Sequence, residues 1–135
     1  MSTSGKARDT GMQVTHFLRK TVNYNDTNIA TADKVKVGTL PAGAFMVKAL
    51  VRVDTVFNAA STNVLVVGTS GGSDADIVAS GDVNEASAQT FVCTTGNGLS
   101  LTSDTDIFAK YTQTGTPATT GKATIVIEYA PNSDG

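Results

Sequence analysis

Residues 44–57 read Ala-Phe-Met-Val-Lys-Ala-Leu-Val-Arg-Val-Asp-Thr-Val-Phe, and their alternation constrains the fold more than any other stretch. Successive side chains of an extended chain point to opposite faces. Phe45, Val47, Ala49, Val51, Val53, Thr55 and Phe57 then share one side, with Lys48, Arg52 and Asp54 on the other. A period of two held this long predicts a β-strand with one buried face. Fourteen residues at about 3.3 Å each reach roughly 45 Å, against a usual strand of about 5–6 residues, so a bend or bulge inside the run is expected.

The rest of the chain uses the same vocabulary. Val, Thr, Ala and Gly dominate its 135 residues, Leu and Glu are scarce, and aromatics make up 6%. That composition favours strands joined by short turns, and the length suits one domain whose core needs neither metal nor disulfide. Residues 13–24 can form one strand or two. Lys34 to Gly38 alternates again, and Leu40-Pro41-Ala42-Gly43 makes a tight connection into the long strand. Asn63 to Thr69 is too uniformly apolar for an exposed face, so both its sides are expected to be covered, one by the core and the other by a loop or a second subunit.

Further along, Asp76 to Ala79 is a short apolar segment, and Asp82 with Glu85 three residues on has the spacing of a helix capping box. Thr90 to Thr94 and Leu99 to Thr102 bracket Asn97-Gly98, a hairpin signal. Asp106 to Thr114 and Lys122 to Tyr129 alternate, with Val126 an apolar exception on the wet side of the last run. The expectation is an all-β, two-sheet β-sandwich of about eight strands over residues 13–131. A flexible N-terminal arm (1–12) would precede it and a short tail (132–135) would follow. Eight strands is the jelly-roll count, although an immunoglobulin-like order also fits and periodicity does not choose between them.

Little in the sequence offers chemistry. His16 is the single histidine and has no Cys, Asp or Glu at ligand spacing, so it reads as a surface or interface residue rather than part of a triad or zinc site. Cys93 is the single cysteine, which rules out an internal disulfide and reads as a neutral thiol. No phosphate loop, nucleophile elbow or His-Glu-x-x-His pattern occurs. Asp74 and Asp76, after a glycine-rich turn, could hold Ca²⁺ but lack the EF-hand pattern, and turn formation is the plainer reading. The absence of tryptophan weakens a sugar-binding or glycosidase reading. No enzyme activity and no cofactor are expected.

The formal charge of −2 conceals a gradient. Residues 1–52 hold eight Lys or Arg against three Asp, and residues 53–135 hold two Lys against nine Asp or Glu. Such asymmetry can orient a subunit on a charged partner. Direct nucleic-acid binding is not expected, because no basic run or aromatic stacking pair accompanies the lysines. MSTSGKARDTGMQ has no apolar core of a secretory signal, and no run approaches the roughly 18 apolar residues of a membrane span. The expectation is synthesis and retention in a cytosol, unless the protein is released as part of a larger particle.

A strand-rich chain with Gly/Ser/Thr loops and no catalytic inventory resembles the small decoration, or cement, proteins of tailed bacteriophage heads. The resemblance rests on Phe45 to Phe57, on Ser61-Thr62-Asn63-Val64-Leu65-Val66-Val67-Gly68-Thr69, on Asp104-Thr105-Asp106-Ile107-Phe108, and on Thr120-Gly121-Lys122-Ala123-Thr124-Ile125-Val126-Ile127-Glu128-Tyr129. It implies a protein on the outer surface of a capsid, made in the bacterial host cytoplasm, that straddles neighbouring major capsid subunits as a homodimer or homotrimer. A receptor- or carbohydrate-binding module of a tail fibre or baseplate is the alternative. For contact with the capsid or a second copy the candidates are Lys6 and Arg8 in an arm drawn from residues 6–20, and Phe17, Met46, Leu50, Val56, Phe108 and Val126. Met46, Leu50 and Val56 are expected to interrupt the wet face of the long strand.

Overall fold

A computed structural model describes residues 15–131, within which every regular element is a strand. These are β1 (His16–Asn23), β2 (Val35–Leu40), β3 (Phe45–Thr55), β4 (Thr62–Thr69), β5 (Thr90–Cys93), β6 (Thr105–Thr114) and β7 (Lys122–Ala130). They form two sheets, with strand orders β1-β7-β3-β5 and β2-β6-β4, and every pairing is antiparallel. The all-β, two-sheet expectation holds with seven strands. The arm, the tail, Lys6 and Arg8 lie outside the described residues.

Alternation builds the core as anticipated. Ala49, Val51 and Val53 of β3, Leu65 and Val67 of β4, Ile107, Ala109 and Tyr111 of β6, and Ala123, Ile125 and Ile127 of β7 are buried in one cluster shared by the two sheets. Each large aliphatic side chain so buried is worth about 1.5–3 kcal/mol. Polar atoms at the margin are paired: the Tyr111 hydroxyl donates to Asn63 Oδ1, and its ring lies 4.8 Å from that of Phe57.

The long strand does contain irregularities. Its register on β7 shifts between Met46 and Lys48 and again between Val53 and Thr55. An extra residue in one strand reverses the phase of every side chain beyond it. N-terminal to the first shift Met46 therefore turns inward, 1% exposed, while Phe45 and Val47 turn out. This corrects the sequence reading, which put Phe45 and Val47 in the core and Met46 on the wet face.

Residues 70–89 account for the apolar run of β4. Val67 exchanges backbone hydrogen bonds with Val78, and the Ile77 amide also donates to the Val67 carbonyl. Gly68 is required here, since a Cβ on it would fall 2.1 Å from the Ser73 carbonyl oxygen. Val66 is buried as well, so a loop of the chain itself supplies part of the expected cover. The helix expected from Asp82 does not form: Asp82 Oδ2 instead accepts from the Ala79 amide and the Thr95 hydroxyl. Glu85 reaches across to the sheet, its carboxylate accepting from the Leu65 amide at 2.8 Å and its carbonyl from the Phe57 amide at 3.0 Å.

The Asn97-Gly98 turn joins no hairpin. β5 pairs with Ala49 to Arg52, and Leu99 to Leu101 bond further along the same edge of β3, at Ala44 and Met46. Both runs continue one direction on one neighbour, with residues 94–98 looping out between them. The second run survives only as an isolated bridge, Phe45 to Ser100, which removes one strand from the expected eight.

Candidate functional site

The outer face of the four-stranded sheet is where the candidate residues converge. Residues opposite one another in register share a face, so Arg19, Val126, Leu50 and Val92 form one row across β1, β7, β3 and β5. The next row toward the chain entry is Phe17, Glu128 and Lys48; on the other side lie Thr21, Thr124, Arg52 and Thr90. Phe17 and Val92 are each 63% exposed, and Leu50 and Val126 are half-buried. Arg19, Leu50, Arg52, Thr90, Thr124 and Val126 line a cavity of about 170 Å³.

The charges on this face are arranged in pairs. Lys48 Nζ lies 3.8 Å from Glu128 Oε2, and Arg52 Nε donates to Asp54 Oδ1 at 2.5 Å. Burial works against the ionised form of Asp54, but hydrogen bonds from the Thr124 hydroxyl and the Arg52 guanidinium outweigh it and hold the carboxyl below its ordinary value. Arg19 has no ion-pair partner among the described residues.

The structure brings Phe17, Leu50 and Val126 onto one surface and separates the remaining candidates from them. Met46 is in the core, as described. Val56 is half-buried beyond the end of β3, where its carbonyl accepts from the Thr120 hydroxyl. Phe108 is on β6 in the other sheet, with Lys34 Nζ 5.7 Å from its ring centre. Val92, Arg19 and the outward Phe45 and Val47 escaped the sequence reading. Val92 follows from the register of β5 on Leu50, whereas the two outward residues follow from the bulge, which alternation alone does not locate.

Groups with chemical potential elsewhere are tied to structural tasks. Cys93 is buried, and burial followed by the charge of Asp82 pushes its thiol up to about 12, leaving it protonated at neutral pH. His16 packs beside Tyr129, ring centres 5.8 Å apart. Asp76 accepts from both the amide and the hydroxyl of Thr69, and Asp74 pairs with Lys34 and Lys110. The Lys34 hydrogen bond, opposed by burial, holds Asp74 below its ordinary value. A cavity of about 340 Å³ between the Thr69–Gly72 turn and residues 99–105 is lined by Asp76 and Asp104, yet Asp104 is engaged by the Ala42 amide. Among the described residues no three His, Cys, Asp or Glu side chains converge as a metal site would require.

Neither a protein-family model nor a curated protein matches this chain. Solved structures do. A chain of the acid-stable capsid of Helicobacter pylori bacteriophage KHP30 superposes with a TM-score of 0.65 at 19% identity, over 89% of this chain and 90% of its own length. A chain of the cyanophage Pam1 capsid asymmetric unit gives 0.68 at 19% identity, over 96% and 99%. The fold of this chain is thus one found in phage capsid structures, across nearly the whole length of both neighbours.

Proposed function

We propose that this protein is a structural component of a phage virion that sits on the outer surface of the capsid and cements neighbouring major capsid subunits. The observation that carries the proposal is the near full-length likeness to chains of two phage capsids. The chemistry agrees: Cys93 is held neutral in the core, the carboxylates of the Asp74 to Asp76 turn are engaged by protein donors, and the accessible apolar groups lie on a sheet face.

Cementing asks for rigidity and repeated weak contacts rather than catalysis. Once one contact is made, a second becomes intramolecular and overall binding strengthens by about 10² to 10⁴ without new chemistry. A dimer or trimer of this sandwich would multiply contacts in that way. Residues 16–20, which the sequence reading also assigned to the arm, belong to β1 and pair with β7; the residues before them would add a strand to a neighbour through backbone hydrogen bonds, with Lys6 and Arg8 suiting an acidic surface. The test is sedimentation of purified protein with mature empty capsids of the encoding phage. Saturable binding is expected, weakened by deletion of residues 1–12; no binding by the full chain would refute cementing, and unchanged occupancy after deletion would refute the arm.

A further inference from the structure

We propose that the outer face of the four-stranded sheet docks an acidic protein segment, a carboxylate side chain seated between Arg19 and Arg52 with an apolar neighbour laid on Val126, Leu50 and Val92. This rests on the capsid reading above and names the face and the chemistry of the partner, a surface segment of the shell subunit.

Three independent features converge on that occupant. The face of an antiparallel sheet turned to water is ordinarily polar, yet here three aliphatic residues from adjacent strands form an unbroken bar. The bar adjoins a side-chain-sized hollow of about 170 Å³ whose lining includes Leu50, Val126 and both arginines. The third feature is charge. Arg19, Lys48, Arg52 and Lys122 share this face with Glu128 and Asp54, and the two acids are engaged by Lys48 and Arg52. Among the described residues the surplus on this face is positive, and Arg19 and Arg52 both line the hollow.

Guanidinium chemistry specifies the ligand further. Arg19 donates no side-chain hydrogen bond among the described residues, and Arg52 commits Nε to Asp54, leaving the terminal nitrogens; such planar donors match a carboxylate in bidentate fashion. A nucleic-acid strand fits poorly, because its phosphates would meet Glu128 and Asp54, and none of the residues lining the hollow is aromatic to stack a base. A carboxylate beside an aliphatic or aromatic side chain satisfies donors and bar together.

The experiment measures binding of the full-length protein and of Arg19→Glu, Leu50→Asp and Phe108→Asp variants to capsids lacking it, across a salt series. Thermal midpoints serve to confirm that each variant is folded. Arg19→Glu and Leu50→Asp should each weaken binding at least tenfold, and Arg19→Glu should flatten its salt dependence, since exposed charge pairs are screened by salt. Phe108→Asp, on the opposite sheet, should bind as the parent does. Parent binding with unchanged Arg19→Glu and Leu50→Asp affinities would overturn the docking face while leaving the capsid reading intact; absence of parent binding would overturn both. Binding to duplex DNA as tight as to capsids would also overturn the assignment.

Discussion

Replacing Glu85 tests whether one buried carboxylate fastens the 70–89 segment to the sandwich. Glu85 is 5% exposed and provides the acceptor for the Leu65 amide, while Leu65 itself is completely buried. Glu85→Ala leaves that amide unpaired, which costs about 1–3 kcal/mol, or roughly 3–15 °C in Tm for a domain of this size. Glu85→Gln keeps an acceptor of the same shape and removes the charge. Burial pushes the Glu85 carboxyl above its ordinary value of 4.5, opposed by the Leu65 amide.

The sign of the pH effect follows from linkage. A carboxyl whose folded pKa is raised contributes stability that is fully present below 4.5 and is lost as pH rises through the folded value. The parent should therefore lose stability relative to Glu85→Gln between mildly acid and neutral pH, the two converging below 4.5. Urea unfolding at intervals from pH 4 to 8 reads both effects, and the gap at the upper end reports the elevation at about 1.4 kcal/mol per pH unit. The neighbouring hydroxyl of Tyr111, itself raised by burial and then by the Glu85 charge, stays protonated throughout that range. Parallel curves for parent and Glu85→Gln would refute the buried-charge argument; an undiminished Tm for Glu85→Ala would refute the fastening.

Two further outcomes are expected. Gly68→Ala should lower stability by about 1–3 kcal/mol, because its Cβ would fall against the Ser73 and Asp74 backbone; hydrogen exchange should then rise at Ile77 and Val78, and native-like protection there would contradict the close approach. Cys93, buried with its thiol pushed up to about 12, should react with an aromatic disulfide reagent at pH 8 only as fast as the protein unfolds, with labelling rising in step with urea. Rapid labelling of the native protein would contradict its burial.

How much of this was legible depended on what each residue answers to. Ala123, Ile125 and Ile127 are buried as their alternation required, because β7 lies between two partners and has no freedom to slip. The Lys34 to Gly38 run became Val35–Leu40, with Lys34 at a φ of 58° just before it and the strand ending where Pro41 cannot continue it. The Asn97-Gly98 signal was real as a turn, with the Asn97 amide donating to the Thr94 carbonyl and Gly98 at a φ of 81°, but a turn does not say what its two flanks pair with. Asp82 and Glu85 had capping-box spacing, yet the unpaired amide of Leu65 on β4 competed for the Glu85 carboxylate and won. Each miss concerns a long-range partner that local sequence does not encode.

Within the candidate face the same distinction decides which residues survive. Leu50 and Val126 were singled out separately, for breaking two wet series, and the structure sets them directly opposite each other. Met46 broke the same series by the same logic and is in the core, because the irregularity between it and Lys48 reverses the phase. That reversal removes a buried-face role from Phe45 and Val47 and exposes them at the end of the sheet where Phe17 also stands, since Phe45 pairs with Ala130 and Phe17 with Glu128. The bulge therefore fills the core with Met46 and extends the apolar surface beyond the Val126–Leu50–Val92 bar toward the start of β1. Deleting Val47, which has no partner on β7, would remove the bulge and leave Met46 opposite Tyr129 on the inner face with Phe45 still outward, whereas Val47→Thr would leave the bulge and the core in place and alter only the surface.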